Sequence, residues 1–196
     1  GNLTEYFNKQ TGLQDLTIWN QSLDKQKNLW LALNNGISRI EINSPITFFN
    51  DMTGLEGTVE SIIRHNDILY LATNLGIYYL KDKQMKQSPL DPHLPKLIEG
   101  ISSLECWDLL SIIGHPSGME DVLLVASNQG VFQINKNHQV DQITENNSLV
   151  LHLPKLDPSR LFIGLSDGLA AIYWNNGFWV DEGRIDGIDD GIRSIA

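Results

Sequence analysis

Four stretches of the chain share one pattern of apolar and polar positions: LWLALNNGI from Leu29, LYLATNLGI from Leu69, LLVASNQGV from Leu123 and LFIGLSDGL from Leu161. Aligned on Gly36, Gly76, Gly130 and Gly168, each has leucine at minus seven and a bulky residue at minus six (Trp30, Tyr70, Leu124, Phe162). A small residue stands at minus four (Ala32, Ala72, Ala126, Gly164), and Asn or Ser at minus two. Four or five consecutive apolar residues predict a strand buried on both faces, and the closing Asn/Ser-x-Gly supplies the positive φ of a tight hairpin. A second strand then leaves each turn. The small residue at minus four predicts close approach of one sheet to the next.

A second signature alternates with the first. TEYFNKQTGL at 4–13 returns as TFFNDMTGL at 47–55, with Phe, Asn, Thr, Gly and Leu coinciding at an offset of 42. It reads as an aromatic outer strand running into a Thr-Gly-Leu turn. Another apolar strand follows, at 16–19 and at 59–63, and a polar link leads into the hairpin. The unit therefore has four antiparallel strands. The glycines stand 40, 54 and 38 residues apart, so the middle interval carries about 14 extra residues, in DPHLPKLIEG at 91–100 and GHPSGMED at 114–121. Insertions in repeats map to loops, and Pro89, Pro92, Pro95 and Pro116 suit loops better than strand interiors. The third outer strand is expected near 84–88. QVDQI, SLVLHL and the hairpin AIYWNNGFWV complete the fourth unit, and RIDGIDDGIRSIA follows the pattern of TGLEGTVESII.

Four-stranded units with a period near 40 residues predict an all-β chain, a β-propeller of about four four-stranded blades. The blades fall at 14–50, 56–90, 101–145 and 147–182. An outer strand at 4–8 and an inner strand at 191–196 belong to neighbouring blades. These two supply only half a blade, so the expectation is an open arc: a piece of a ring of about seven blades, or one whose ends a second copy covers. Gly1 without an initiator methionine also points to a fragment.

Charge narrows the partners. With 14 Lys and Arg against 24 Asp and Glu, the net charge is −10; nucleic acid and anionic membrane surfaces are disfavoured, since both need clustered cations. Cys106 is the single cysteine, so an internal disulfide is impossible, and its place in LECWDLL reads as a buried thiol. No stretch approaches a membrane span. The five histidines show no metal-ligand spacing, and DEGRIDGIDDG at 181–191 lacks the register of a calcium loop and reads as the turn between blades. No nucleophile elbow, phosphate loop or dinucleotide fingerprint occurs. No cofactor, metal or catalytic set is expected.

The paired signatures, Phe-Asn-x-x-Thr-Gly-Leu followed by Leu-Trp-Leu-Ala-x-x-x-Gly-Ile, resemble the two-component regulator propeller repeat. That family supplies the extracytoplasmic sensor halves of bacterial hybrid histidine kinases and some diguanylate cyclases, and the resemblance covers essentially the whole chain. It implies a non-catalytic ligand-sensing module of a signal-transduction receptor, periplasmic or extracytoplasmic, with an oligosaccharide or other small molecule as ligand. A propeller lyase or glycosidase acting on polysaccharide and a protein-interaction scaffold are the alternatives, because fold does not fix function. Self-association through open ends is a further expected contact. The Asn/Ser-x-Gly and Thr-Gly-Leu turns are expected on one face. The ligand-binding candidates there are Asn34, Asn74, Asn128 and Asp167, with His93 and Lys96 in the loop 92–100. Trp107 beside Asp108 is added because an aromatic face next to a carboxylate suits a sugar. Trp19, Trp107 and Trp174 do not repeat, unlike Trp30, Tyr70 and Phe162, whose recurrence predicts packing between blades.

Overall fold

Each apolar run that ends in Asn/Ser-x-Gly is the second strand of an antiparallel sheet, and each of the four glycines opens the third strand. The computed structural model describes residues 6–9, 12–42, 46–81 and 94–195. The chain divides into two compact units, Gly1–Glu56 with Lys83–Pro95 and Gly57–Asp82 with Lys96–Ala196. The first holds a three-stranded meander of β1 (Ile18–Leu23), β2 (Leu29–Leu33) and β3 (Gly36–Ile40). The second holds three four-stranded meanders. One is β4 (Val59–His65), β5 (Ile68–Thr73), β6 (Gly76–Lys81) and β7 (Lys96–Leu97). The next is β8 (Cys106–Ile112), β9 (Val122–Ser127), β10 (Gly130–Ile134) and β11 (Val140–Gln142). The last is β12 (Ser148–His152), β13 (Arg160–Leu165), β14 (Gly168–Asn175) and β15 (Phe178–Arg184). The fold is all-β, of β-propeller blades.

Alternation along the strands sends the repeated positions to opposite neighbours. In the second unit Tyr70, Ala72 and Ile77 face forward onto Leu123, Val125 and Phe132 of the following sheet. Leu124, Ala126 and Val131 face forward in turn onto Leu151, Leu161 and Ile163. Most of these side chains are fully buried, each contributing on the order of 1.5–3 kcal/mol. Ala72 and Ala126 at minus four sit in these layers, as the sequence predicts, whereas Ala32 in the first unit is exposed. At Gly164 a Cβ would stand 2.5 Å from Val150 Cγ1 and 2.6 Å from the Ile192 carbonyl. Each first strand carries a register shift near its start, at Trp19, Glu60, Trp107 and Leu149. Such a bulge increases local twist.

The Thr-Gly-Leu signature is a capped turn. The Asn50 carboxamide accepts the Met52 N–H, the Thr53 hydroxyl accepts the Asn50 N–H, and Gly54 takes φ 86°. The backbone bonds repeat in both copies: Leu13 to Asn8 and Leu55 to Asn50, Gly12 to Lys9 and Gly54 to Asp51. In the same unit Asp24 closes the β1–β2 link. Its carboxylate accepts the Asn28 side chain, the Trp30 indole N–H, and the backbone N–H groups of Asn28 and Gln26, and is held down at about 2. Trp30 is correspondingly half-exposed, with Arg39 5.9 Å from its ring centroid.

Several predicted boundaries move. The first strand starts at Ile18 and runs to Leu23, later than 16–19. Residues 46–49 are irregular where an aromatic outer strand was expected, as are 6–8, because the Asn-capped turn begins at once. The fourth strand of the second sheet is Lys96–Leu97, within a segment expected to be loop; the expected 84–88 lies outside the described residues. Asp181 to Arg184 belong to β15 rather than to a turn. Residues 191–195 are irregular, not an inner strand; Ile192 still donates its N–H to the Leu165 carbonyl.

Candidate functional site

The repeated turn residues hold the sheets together. The N–H of Asn74 donates to Thr58 O and that of Asn128 to Glu105 O, tying the second–third strand turn to the segment entering the first strand. Asn34 does the same in its unit through Thr17 O. The Asn74 carboxamide also accepts the Thr58 N–H at 2.7 Å. Asp167 is exposed and takes Arg184 on both its carboxylate and its carbonyl. Lys96 is an exposed residue of β7 opposite Tyr79, and His93 lies outside the described residues. Within the second unit Asn74, Asn128 and Asp167 share one end of the sheets.

Trp107 and Asp108 sit where the first strands of the three sheets meet. Trp107 is the bulged residue, its indole nitrogen buried without a partner among the described residues. Asp108 is a bridge. Its carboxylate accepts the Leu109 N–H at 2.8 Å, the Leu151 N–H of β12 at 3.0 Å and the Ser61 hydroxyl of β4 at 3.4 Å. Burial nevertheless outweighs these donors and pushes its pKa up. A second link from β4 to β8 joins His65 Nδ1 to Ser111 Oγ at 2.8 Å. His138 Nε2 reaches the buried Tyr70 hydroxyl at 3.2 Å, and burial pulls the pKa of His65 and of His138 down. Burial likewise pushes the Cys106 thiol up to about 12.

The opposite end of the same unit holds a cleft of about 660 Å³ between the third and fourth sheets, within the usual range for ligand pockets. One wall is the insertion after β8, residues 117–121, with Gln133, Asn135 and Asp141 beside it; the other is Trp174 and the Asn175-Asn176-Gly177 turn. The insertion is fastened at both ends. Asp121 accepts the Gly114 N–H at 2.9 Å, and His115 joins Ser117 Oγ at 2.7 Å and the Pro158 carbonyl of the neighbouring sheet at 2.6 Å. Trp174 packs T-shaped against Trp179, centroids 5.3 Å apart, and both lie against the core layer. Glu120, Asp121 and Asp141 contribute carboxylates to the lining. Glu120 stands 4.0 Å from exposed Lys136, and Gln133 donates to Asp141 at 3.2 Å. The side chains of Asn175 and Asn176 make no hydrogen bond among the described residues. None of the cleft residues is among the sequence candidates; the only signals were the insertion at 114–121 and a tryptophan that does not repeat.

Among the described residues no group of three or more His, Cys, Asp or Glu is arranged to hold a metal ion, and no helix is long and apolar enough to cross a membrane. No protein-family model matches the chain, and no curated protein matches it. Among solved structures it is similar to the N-terminal domain of Nup159, at 13% identity and TM-score 0.44 over 90% of this chain and 46% of that one. It is also similar to the extracellular domain of BT4673 from B. thetaiotaomicron, proposed to be a one component system, at 12% identity and TM-score 0.46 over 97% of this chain and 25% of that one. The chain thus spans between a quarter and just under half of these proteins' lengths.

Proposed function

We propose that the chain is a non-catalytic ligand-sensing propeller module of a bacterial signal-transduction receptor, extracytoplasmic in position and recognising an oligosaccharide. The observation that carries this reading is the cleft: a concave space of about 660 Å³ combining the Trp174 indole with amide and carboxylate side chains. Apolar ring faces of sugars pack on aromatic side chains, while their hydroxyls need both donors and acceptors nearby. The resemblance of the two repeated signatures to the two-component regulator propeller supplies the receptor context. Sensing requires that a local binding event be felt elsewhere. The cleft is suited to this, because the insertion forming one of its walls is fastened to the fourth sheet through His115 and the Pro158 carbonyl.

Affinity electrophoresis through gels containing neutral, cationic and acidic polysaccharides, paired with a reducing-end assay on the same mixtures, tests the reading. Retardation in at least one gel with no release of reducing ends is the expected result. Release of reducing ends would favour the glycosidase or lyase alternative, and migration unaffected by every polysaccharide would overturn the ligand class.

A further inference from the structure

Resting on that reading, we infer that the cleft between the third and fourth sheets is the saccharide site and that its ligand is an amino sugar oligosaccharide carrying protonated amines. The cavity has three kinds of lining, and each meets one part of such a ligand. Trp174 provides an aromatic surface for a pyranose ring and, at the same time, an electron-rich partner for an ammonium group. Asn175 and Asn176 provide donors and acceptors that hold no protein hydrogen bond among the described residues, available to ring hydroxyls. Glu120, Asp121 and Asp141 line the cavity with negative charge, and among the described residues no Lys, Arg or His lines it. The cation standing near is Lys136, at 4.0 Å from Glu120 and largely in solvent. A uronate or sulfated sugar would meet this lining as like charge, and a neutral sugar would leave its attraction unused.

The site is also held in shape before any ligand arrives. The carboxylate of Asp121 is fixed by the Gly114 N–H, that of Asp141 by Gln133, and the wall carrying Glu120 is pinned through His115 to Pro158. Preorganised charges lose less on binding than charges that must be ordered.

Calorimetric titration at about pH 5.5, where sugar amines are protonated, compares three trimers: glucosamine, N-acetylglucosamine and galacturonic acid. The glucosamine trimer is expected to bind about tenfold more tightly than its neutral counterpart at low salt, which is about 1.4 kcal/mol, with the advantage shrinking as salt is raised. The galacturonate trimer is expected not to bind. Asp141→Asn, a change at an exposed position, should cut the amine preference about threefold, and Trp174→Ala should abolish binding of both glucosamine-type trimers. Unfolding curves matched to wild type keep the Asp141→Asn result interpretable even if Trp174→Ala folds poorly. Equal binding of the neutral trimer, binding of the galacturonate trimer, or indifference to both substitutions would overturn the inference. If saccharides bind but ignore these substitutions, the sensor reading stands and only the cleft assignment falls; if no saccharide binds in titration or in gels, both fall.

Discussion

Asp108 offers the sharpest test of how the three sheets of the second unit are joined. Replacing it by alanine removes the acceptor for the Leu109 and Leu151 N–H groups and for the Ser61 hydroxyl. Each buried donor left unpaired costs about 1–3 kcal/mol. Against this, the charge that burial disfavours is gone, so the loss is smaller than the donor count alone suggests. The expected net destabilisation at pH 7 is roughly 2–3 kcal/mol. With a urea dependence of about 2 kcal/mol per molar, that lowers the midpoint by roughly 1–1.5 M. Tryptophan fluorescence follows the transition, and hydrogen exchange at the Leu151 amide reports the joint itself. The pH dependence has a definite sign. Because the folded pKa is raised, protonation stabilises the fold; this contribution is complete below the unfolded value near 3.9 and is lost as pH rises through the raised value. An Asp108→Asn variant does not titrate there, so the advantage of wild type over it should be largest in acid and smaller at neutral pH. An Asp108→Ala midpoint within about 0.2 M of wild type, with unchanged exchange at Leu151, would refute the bridging role.

Three further outcomes follow from the same structure. Gly76→Ala places a methyl 2.9 Å from the Ile101 carbonyl at φ 126°, and should lower stability by about 2 kcal/mol or more in thermal unfolding; a wild-type melting temperature would contradict the crossing of 101–102 over that turn. Cys106 is fully buried with its thiol held up at about 12, so a thiol reagent at pH 8 should label it only after denaturant is added; rapid labelling of the native chain would show the β8 layer to be open. His65 and His138 are both pulled down by burial. Their neutral forms stabilise the fold above the unfolded value near 6.5, and this is lost as pH falls through the lowered values. Melting temperature should therefore fall as pH drops below about 6.5, and the double substitution to glutamine should flatten the profile.

The hairpins were legible because their signal is redundant. Leucine at minus seven, the small residue at minus four and the positive-φ glycine all agree, and the four copies fold alike. Two outer strands were legible as well, β11 within QVDQI and β15 in the AIYWNNGFWV hairpin; the outer strand beside β6 and the run at 46–49 were not, because little side-chain chemistry holds them. Lys96 and Leu97 form a strand by pairing with only Tyr79 and Tyr78, directly after Pro95, where propensity argues for loop. The aromatic run at 46–49 has strand composition, yet Asn50 ends it with a capping box whose bonds are local. Asp108 drew notice for its neighbour in sequence, and the structure gives it partners in three sheets. A carboxylate beside a tryptophan suggested a sugar, but adjacent strand residues diverge, and this carboxylate turns to the N–H of the next sheet.

The same contrast explains why the cleft escaped a reading built on repeats. Recurring positions are used first for the blade itself: Asn34, Asn74 and Asn128 each donate their backbone N–H to the segment entering the first strand, and the Asn74 carboxamide accepts the Thr58 N–H. Binding specificity needs an asymmetric arrangement, which a repeat can acquire only where it is broken. Here the break is the long link after β8, and it lies across the cleft from Trp174, one of the tryptophans outside the repeated set. The link brings Glu120 and Asp121 to the cavity, and the NNG turn of the neighbouring sheet brings Asn175 and Asn176 to face them. His115 makes this a joint property of two sheets, since its imidazole spans from Ser117 in the insertion to Pro158 beyond β12. The cleft is accordingly lined by residues of both sheets. The same two sheets are also joined farther along β8 and β12 at the Asp108–Leu151 bond, by a partly buried carboxyl group rather than by apolar contact alone.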